Sequence, residues 1–138
     1  MASKRCDCRE QLEKSLHYLA KQKCGVLVYL RQEGRGIGLI NKVRAYKLQE
    51  QGVDTYEANE LLGFPYDARD YTVAAKILGL LGVKSIRILT NNPHKIEGLK
   101  RHGVKIAGRV EIETKPNKYN SKYLSAKQRK GKHMLHVA

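Results

Sequence analysis

No run of apolar residues in this chain approaches the ~18 to 20 that a membrane-crossing helix requires. The opening MASKRCDC also lacks the apolar stretch that begins a secretory signal. A soluble, cytoplasmic protein with no membrane partner is therefore expected. Cysteine is scarce: Cys6, Cys8 and Cys24, an odd number that argues against a disulfide framework and leaves metal binding or reactivity as uses. Cys24, in KQKCGVLVYL, reads as a small buried hydrophobe. Acidic residues are also few, 13 against 27 Lys and Arg, and the resulting formal charge of +14 implies a polyanionic partner. Half of that excess lies in residues 114–138, which contain seven Lys or Arg and no Asp or Glu. No zinc-finger spacing or aromatic RNA-binding signature accompanies it, so nucleic acid is a partner the tail permits but the sequence does not favour.

What is present is an alternation. At 138 residues the chain suits one hydrophobic core, and we divide it into a core of residues 1–113 and a basic tail of 114–138. From Glu10 to about Lys23, apolar residues recur at helical intervals, with Cys8 at the N-terminal end. The run CGVLVYL (24–30) suits a strand buried on both faces. GIGLINKVRAYKLQEQG then keeps a helical rhythm and stops at Gly52, and residues 53–70 carry the turn chemistry of a functional loop around Pro65. A helix over 71–81, a strand over 84–90, a short helix over 92–103 and a strand in VKIAGRV follow. Strands alternating with helices predict an α/β fold with a mostly parallel sheet flanked by helices. Binding sites in such sheets lie at the carboxyl ends of strands, and two polar clusters fall there: RQEGRG (31–36) and TNNPHK (90–95).

RQEGRGIGL brings Arg31, Glu33 and Arg35 together around small residues. Backbone N–H groups at a helix start can then meet an anion, and arginines add forks for phosphate or carboxylate. A capped turn with surface charges would look the same, and no Walker loop is present. TNNPHK offers the Thr90 hydroxyl and the Lys95 ammonium, and a simple turn is the alternative there too. In DARD, Asp67 and Arg69 alternate. In a pocket the carboxylate could accept a proton while the arginine meets a phosphate; on a surface they would be a weak ion pair.

Together, RCDC with QL, the long stretch RQEGRGIGL through NK, RAY, LQ, DT, EAN, LGF and RD, and the later LTNNP with K resemble the GTP cyclohydrolase II family of riboflavin synthesis, from Arg5 to about Val110. The resemblance implies a zinc-dependent opening of the GTP imidazole ring. Formate and pyrophosphate leave, and 2,5-diamino-6-ribosylamino-4(3H)-pyrimidinone 5′-phosphate remains. It implies Cys6 and Cys8 as zinc ligands, Arg69 as the nucleophile toward the α-phosphate and Asp67 as its proton acceptor. Gln11, Glu33, Gly34, Arg35, Thr55, Thr90 and Lys95 fall on GTP-binding positions, and Tyr46 on one beside the active site. Magnesium would accompany the triphosphate, and a homodimer is a further partner. The family carries a third zinc cysteine on a segment upstream, so this chain by itself is expected to hold little zinc and to release little formate. Cys24 does not replace that ligand. A helix over 9–23 would separate its ends by about 20 Å at ~1.5 Å per residue, whereas zinc–sulfur bonds are ~2.3 Å.

Overall fold

The computed structural model describes residues 6–65 and 67–112, and the backbone alone for Thr55 and Tyr56. The basic tail expected over 114–138 lies outside the described residues. Two compact units emerge, an inserted unit of residues 29–70 and a flanking unit formed by the segments on either side of it.

In the flanking unit, helix α1 spans Cys8–Ala20. In the inserted unit, a tight turn at Glu33–Gly36 leads into α2 (Gly38–Glu50), and α3 (Thr55–Leu61) follows. The flanking unit resumes with α4 (Thr72–Leu80), β1 (Ile86–Leu89), α5 (Pro93–Arg101) and β2 (Ile106–Val110). The sheet is a parallel pair, β1 beside β2, joined through α5, which is the βαβ arrangement that the alternation predicts.

Each helix ends where its sequence stops it. Gly52 and Gly103, just past α2 and α5, adopt φ of 95° and 81°, a left-handed region that an L side chain enters only at a cost. Proline opens α5 at its first turn, and the Asn92 side chain accepts a hydrogen bond from the His94 N–H at 3.0 Å, satisfying one of the free donors there. In α4, Ala74 and Leu78 are four apart and both buried, and α4 packs on α5. The Tyr71 ring presses so close to Gly98 that no side chain fits there. The inserted unit has its own small core, with Ile37, Ala45 and Ala58 buried where α2 meets α3.

Three expectations need correction. Residues 24–30 form no strand, and Val26, Leu27 and Tyr29 are about half exposed. An apolar run shows that a segment suits burial, but a strand also needs a neighbour to pair with, and the described sheet contains only β1 and β2. Cys24, within that segment, is exposed rather than buried. The stretch 53–70 contains α3, because Asp54 accepts the Glu57 N–H at 3.2 Å and so starts a helix inside what otherwise reads as loop. Periodicity also located α2 without revealing its covering, for Leu39, Ile40 and Val43 are more than half exposed.

Candidate active site

The inserted unit builds its cluster from two loops tied together. Gly34, Arg35 and Gly36 have φ of 64°, 61° and 96°, three consecutive left-handed residues, and Arg35 is the one non-glycine residue with positive φ among those described. A side-chain-bearing residue held there costs about 1–2 kcal/mol, so the surroundings must over-determine the turn. They do. The Gly36 N–H donates to the Gln32 carbonyl at 3.2 Å, and the Ala68 N–H donates to the Arg35 carbonyl at 3.0 Å. The Gln32 amide donates to the Asp70 carbonyl at 2.7 Å while its oxygen accepts the Asp70 N–H at 3.0 Å. Gly36 lies flat against the second loop, where a Cβ would come within 2.6 Å of the Ala68 carbonyl oxygen.

That second loop presents Asp67 and Arg69. The Arg69 guanidinium forks onto the carboxylate, Nε donating to Oδ1 at 2.8 Å and Nη2 to Oδ2, while the Arg69 backbone N–H also donates to Oδ1 at 3.1 Å. Both side chains are mostly covered, at 14% exposure for Asp67 and 23% for Arg69. Burial pushes the Asp67 carboxyl up, but the Arg69 hydrogen bonds and charge, with the nearby charge of Arg35, outweigh it and hold the group below its ordinary value. Asp67 is therefore a firmly ionised partner for the arginine.

Beside this fork, Glu33 bends back onto its own turn. It accepts the Gly34 N–H at 3.3 Å and the Lys42 ammonium at 2.5 Å. The bond from Lys42 lowers the Glu33 carboxyl, and burial opposes it. For Lys42 burial lowers the ammonium, and the bond and charge of Glu33, with Tyr46, more than reverse it. Lys42 also sits 5.7 Å from the centre of the Tyr46 ring, within cation–π range. Lys42 and Gln32 are residues that the sequence reading missed. Lys42 could have been found, because it lies four before Tyr46 on one face of α2. Gln32 could not, since its partner is backbone 38 positions away.

The flanking unit carries the remaining candidates. At the start of α1 the Cys6 and Cys8 sulfurs are bonded to each other, Cys6 buried and Cys8 exposed. The Cys6 sulfur, the Cys8 sulfur and an Asp7 carboxylate oxygen lie within 4.8 Å of one another. Two sulfurs and a carboxylate are donors that zinc takes, so the residues fit that ion once the cysteines are reduced to thiolates. Asp7 is buried and accepts the Gln11 side-chain amide at 2.6 Å, which engages Gln11 as a support to this cluster.

Beyond β1, Thr90, Asn91 and Asn92 are all buried. The Thr90 hydroxyl accepts the Asn92 N–H at 3.1 Å. Asn91 grips the backbone of Ile112 from both sides, donating to its carbonyl at 2.8 Å and accepting its N–H at 3.3 Å. Arg109 adds bonds to the Thr90 carbonyl at 3.4 Å and the Asn91 oxygen at 3.1 Å. Lys95 is half-buried in the first turn of α5. Thr55 opens α3. The structure thus groups Glu33, Gly34, Arg35, Tyr46, Asp67 and Arg69 in the inserted unit, and Cys6, Cys8, Gln11, Thr90 and Lys95 in the flanking one.

Comparison with known proteins shows the family of the chain. A sequence profile described as GTP cyclohydrolase II matches residues 1–111. The chain belongs to the GTP cyclohydrolase II family. It is 56% identical over 134 residues to a GTP cyclohydrolase-2 of Tolumonas auensis, covering 97% of this chain and 68% of that protein. A GTP cyclohydrolase-2 of Pseudomonas putida is 54% identical, with 96% of this chain and 65% of the relative covered. The riboflavin biosynthesis protein RibBA of Synechocystis is 56% identical over 98% of this chain, which spans 24% of it. This chain therefore spans about two thirds of the GTP cyclohydrolase-2 relatives and between about a quarter and a third of the RibBA ones. No helix among the described residues is long and apolar enough to cross a membrane.

Proposed function

We propose that this chain performs GTP cyclohydrolase II chemistry, opening the imidazole ring of GTP with loss of formate and pyrophosphate to leave 2,5-diamino-6-ribosylamino-4(3H)-pyrimidinone 5′-phosphate. The observation that carries the reading is the Asp67–Arg69 fork, mostly covered and set against a glycine turn.

Arg69 is assigned attack on the α-phosphorus. A guanidinium nitrogen forms the N–P bond, the bond to the pyrophosphate oxygen breaks, and the proton lost by that nitrogen passes to Asp67. Water later breaks the N–P bond, its oxygen going to phosphorus, and Arg69 recovers its protons from that water and from Asp67. In the resting pair the proton stays on Arg69, because a guanidinium holds its proton at ordinary pH and Asp67 is kept below its usual value. The proton therefore moves only as the nitrogen bonds to phosphorus and becomes acidic. Until then Asp67 orients the planar fork and holds one face of it. Glu33 with Lys42, Arg35, Thr90 and Lys95 are assigned to GTP, and magnesium accompanies the triphosphate. Cys6 and Cys8, as thiolates, would hold zinc, which when bound supplies an activated water for attack on C8 of the guanine.

The test is formate and pyrophosphate release from GTP by chain that has been reduced and then loaded with zinc, with ATP as control. Because Asp7 offers a third donor beside Cys6 and Cys8, formate from GTP alone is expected in place of the little that two cysteines by themselves would allow, and Asp67→Asn should lower turnover about 10²- to 10⁴-fold with GTP still bound. Equal, purely salt-sensitive binding of GTP and ATP, unaffected by Lys95→Ala and without formate, would instead indicate a non-catalytic basic surface.

A further inference from the structure

Gln32 lies outside every role assigned above, yet it makes two hydrogen bonds that join the chain entering the glycine turn to the loop bearing Asp67 and Arg69. Its side-chain amide pairs with the peptide groups of Asp70 as a neighbouring strand would, donating at 2.7 Å and accepting at 3.0 Å. Only Gln or Asn can offer a donor and an acceptor side by side in this way without a charge, and Asn is one methylene shorter. We propose that Gln32 is the positioning residue of the Asp67–Arg69 pair, setting where that loop stands against the glycine turn.

Three further observations make the position exact rather than approximate. The Ala68 N–H donates to the Arg35 carbonyl at 3.0 Å, so the loop's middle is tied to the turn. Gly36 meets the Ala68 carbonyl with no room for a Cβ. Asp67 feels the charge of Arg35 as well as that of Arg69. The chain between these ties is short, from Ala68 to Asp70, and the Gln32 clamp closes its far end. Without the clamp the loop loses both bonds at Asp70 while the Ala68 tie remains, and Asp67 and Arg69, though still paired with each other, are held less firmly relative to the turn. A reacting group displaced by about 1 Å can lose about 10²-fold in rate.

This inference rests on the reading of Asp67 and Arg69 as reacting groups, so the experiment separates the two. Gln32→Met keeps the length and removes both bonds; Gln32→Glu keeps acceptance of the Asp70 N–H and loses the donor. In Gln32→Met, hydrogen exchange at the Ala68 and Asp70 amides should rise about tenfold or more. The nuclear Overhauser contacts between Gly36 and Ala68 should weaken, with α2 amides unchanged as the control for folding. On GTP, kcat should fall about 10- to 100-fold with KM within about threefold. Gln32→Glu should retain protection at Asp70 and recover part of kcat. Exchange and contacts unchanged in Gln32→Met would overturn the proposal, as would released amides with wild-type kcat. Wild-type chain that binds zinc yet releases no formate would overturn the functional reading instead, and the exchange and contact data would still decide whether Gln32 holds the loop.

Discussion

The Glu33–Lys42 pair shows how a single contact records its own pH window. Glu33 is held below its ordinary value near 4.5, so its ionisation favours the folded chain at any pH above that value, and the contribution disappears as pH falls through the folded value. Lys42 is held above its ordinary value near 10.5, so its share is intact below that point and is lost only as pH rises through the folded value. With the Glu33 side chain 36% exposed, water screens the pair and about 1 kcal/mol is a reasonable ceiling. Urea midpoints of wild type and Lys42→Met should therefore differ by a constant small amount from pH 7 down to about 5 and converge below about 4.5. A gap that widened on acidification would contradict the assignment.

Among the elements, the turn at Glu33–Gly36 is the most constrained, and two glycines near it make opposite predictions. Gly36 has φ of 96° and Gly38 of 84°, so alanine strains the backbone at both, by about 1–2 kcal/mol. At Gly38 nothing lies within 4 Å of a new Cβ, whereas at Gly36 it would meet the Ala68 carbonyl oxygen, a backbone atom that cannot swing aside. Gly36→Ala should thus lower the urea midpoint clearly more than Gly38→Ala and should cost activity as well. The same turn marks the limit of what sequence can show. Its glycines and its place ahead of a helix were legible, as were α1, α2, α4, α5, β1 and β2, because spacing, proline and glycine act locally. The fork of Asp67 and Arg69 was legible for the same reason, being two residues apart. What was not legible came from distant pairing: the missing neighbour of residues 24–30, the exposed face of α2, and the amide clamps of Gln32 and Asn91, whose partners are backbone groups that no residue type advertises. The burial of Thr90 and the bond its hydroxyl accepts from the Asn92 N–H were not legible from the residue type either.

For the whole molecule, a net charge of +14 draws in any polyphosphate, whatever its base. Such attraction is screened within ~8 Å at physiological salt, while short, partly buried contacts are not. Raising salt from about 50 to about 500 mM should weaken GTP and ATP together and leave their ratio unchanged; a ratio that collapsed to one would mean that charge alone selects the ligand. The Asn91 clamp has a further consequence, for the order in which the chain acquires its structure. Asn91 and Ile112 are 21 residues apart with α5 forming between them, whereas Gln32 must find Asp70 across 38. Closing the longer loop costs only about 0.5 kcal/mol more, but the shorter one also contains a capped helix that draws its ends together as it winds. During refolding, pulsed hydrogen exchange should find the amides of Ile86, Thr90 and Ile112 protected before those of Ala68 and Asp70. The strand pair would then form before the loop that bears Asp67 and Arg69 finds its place.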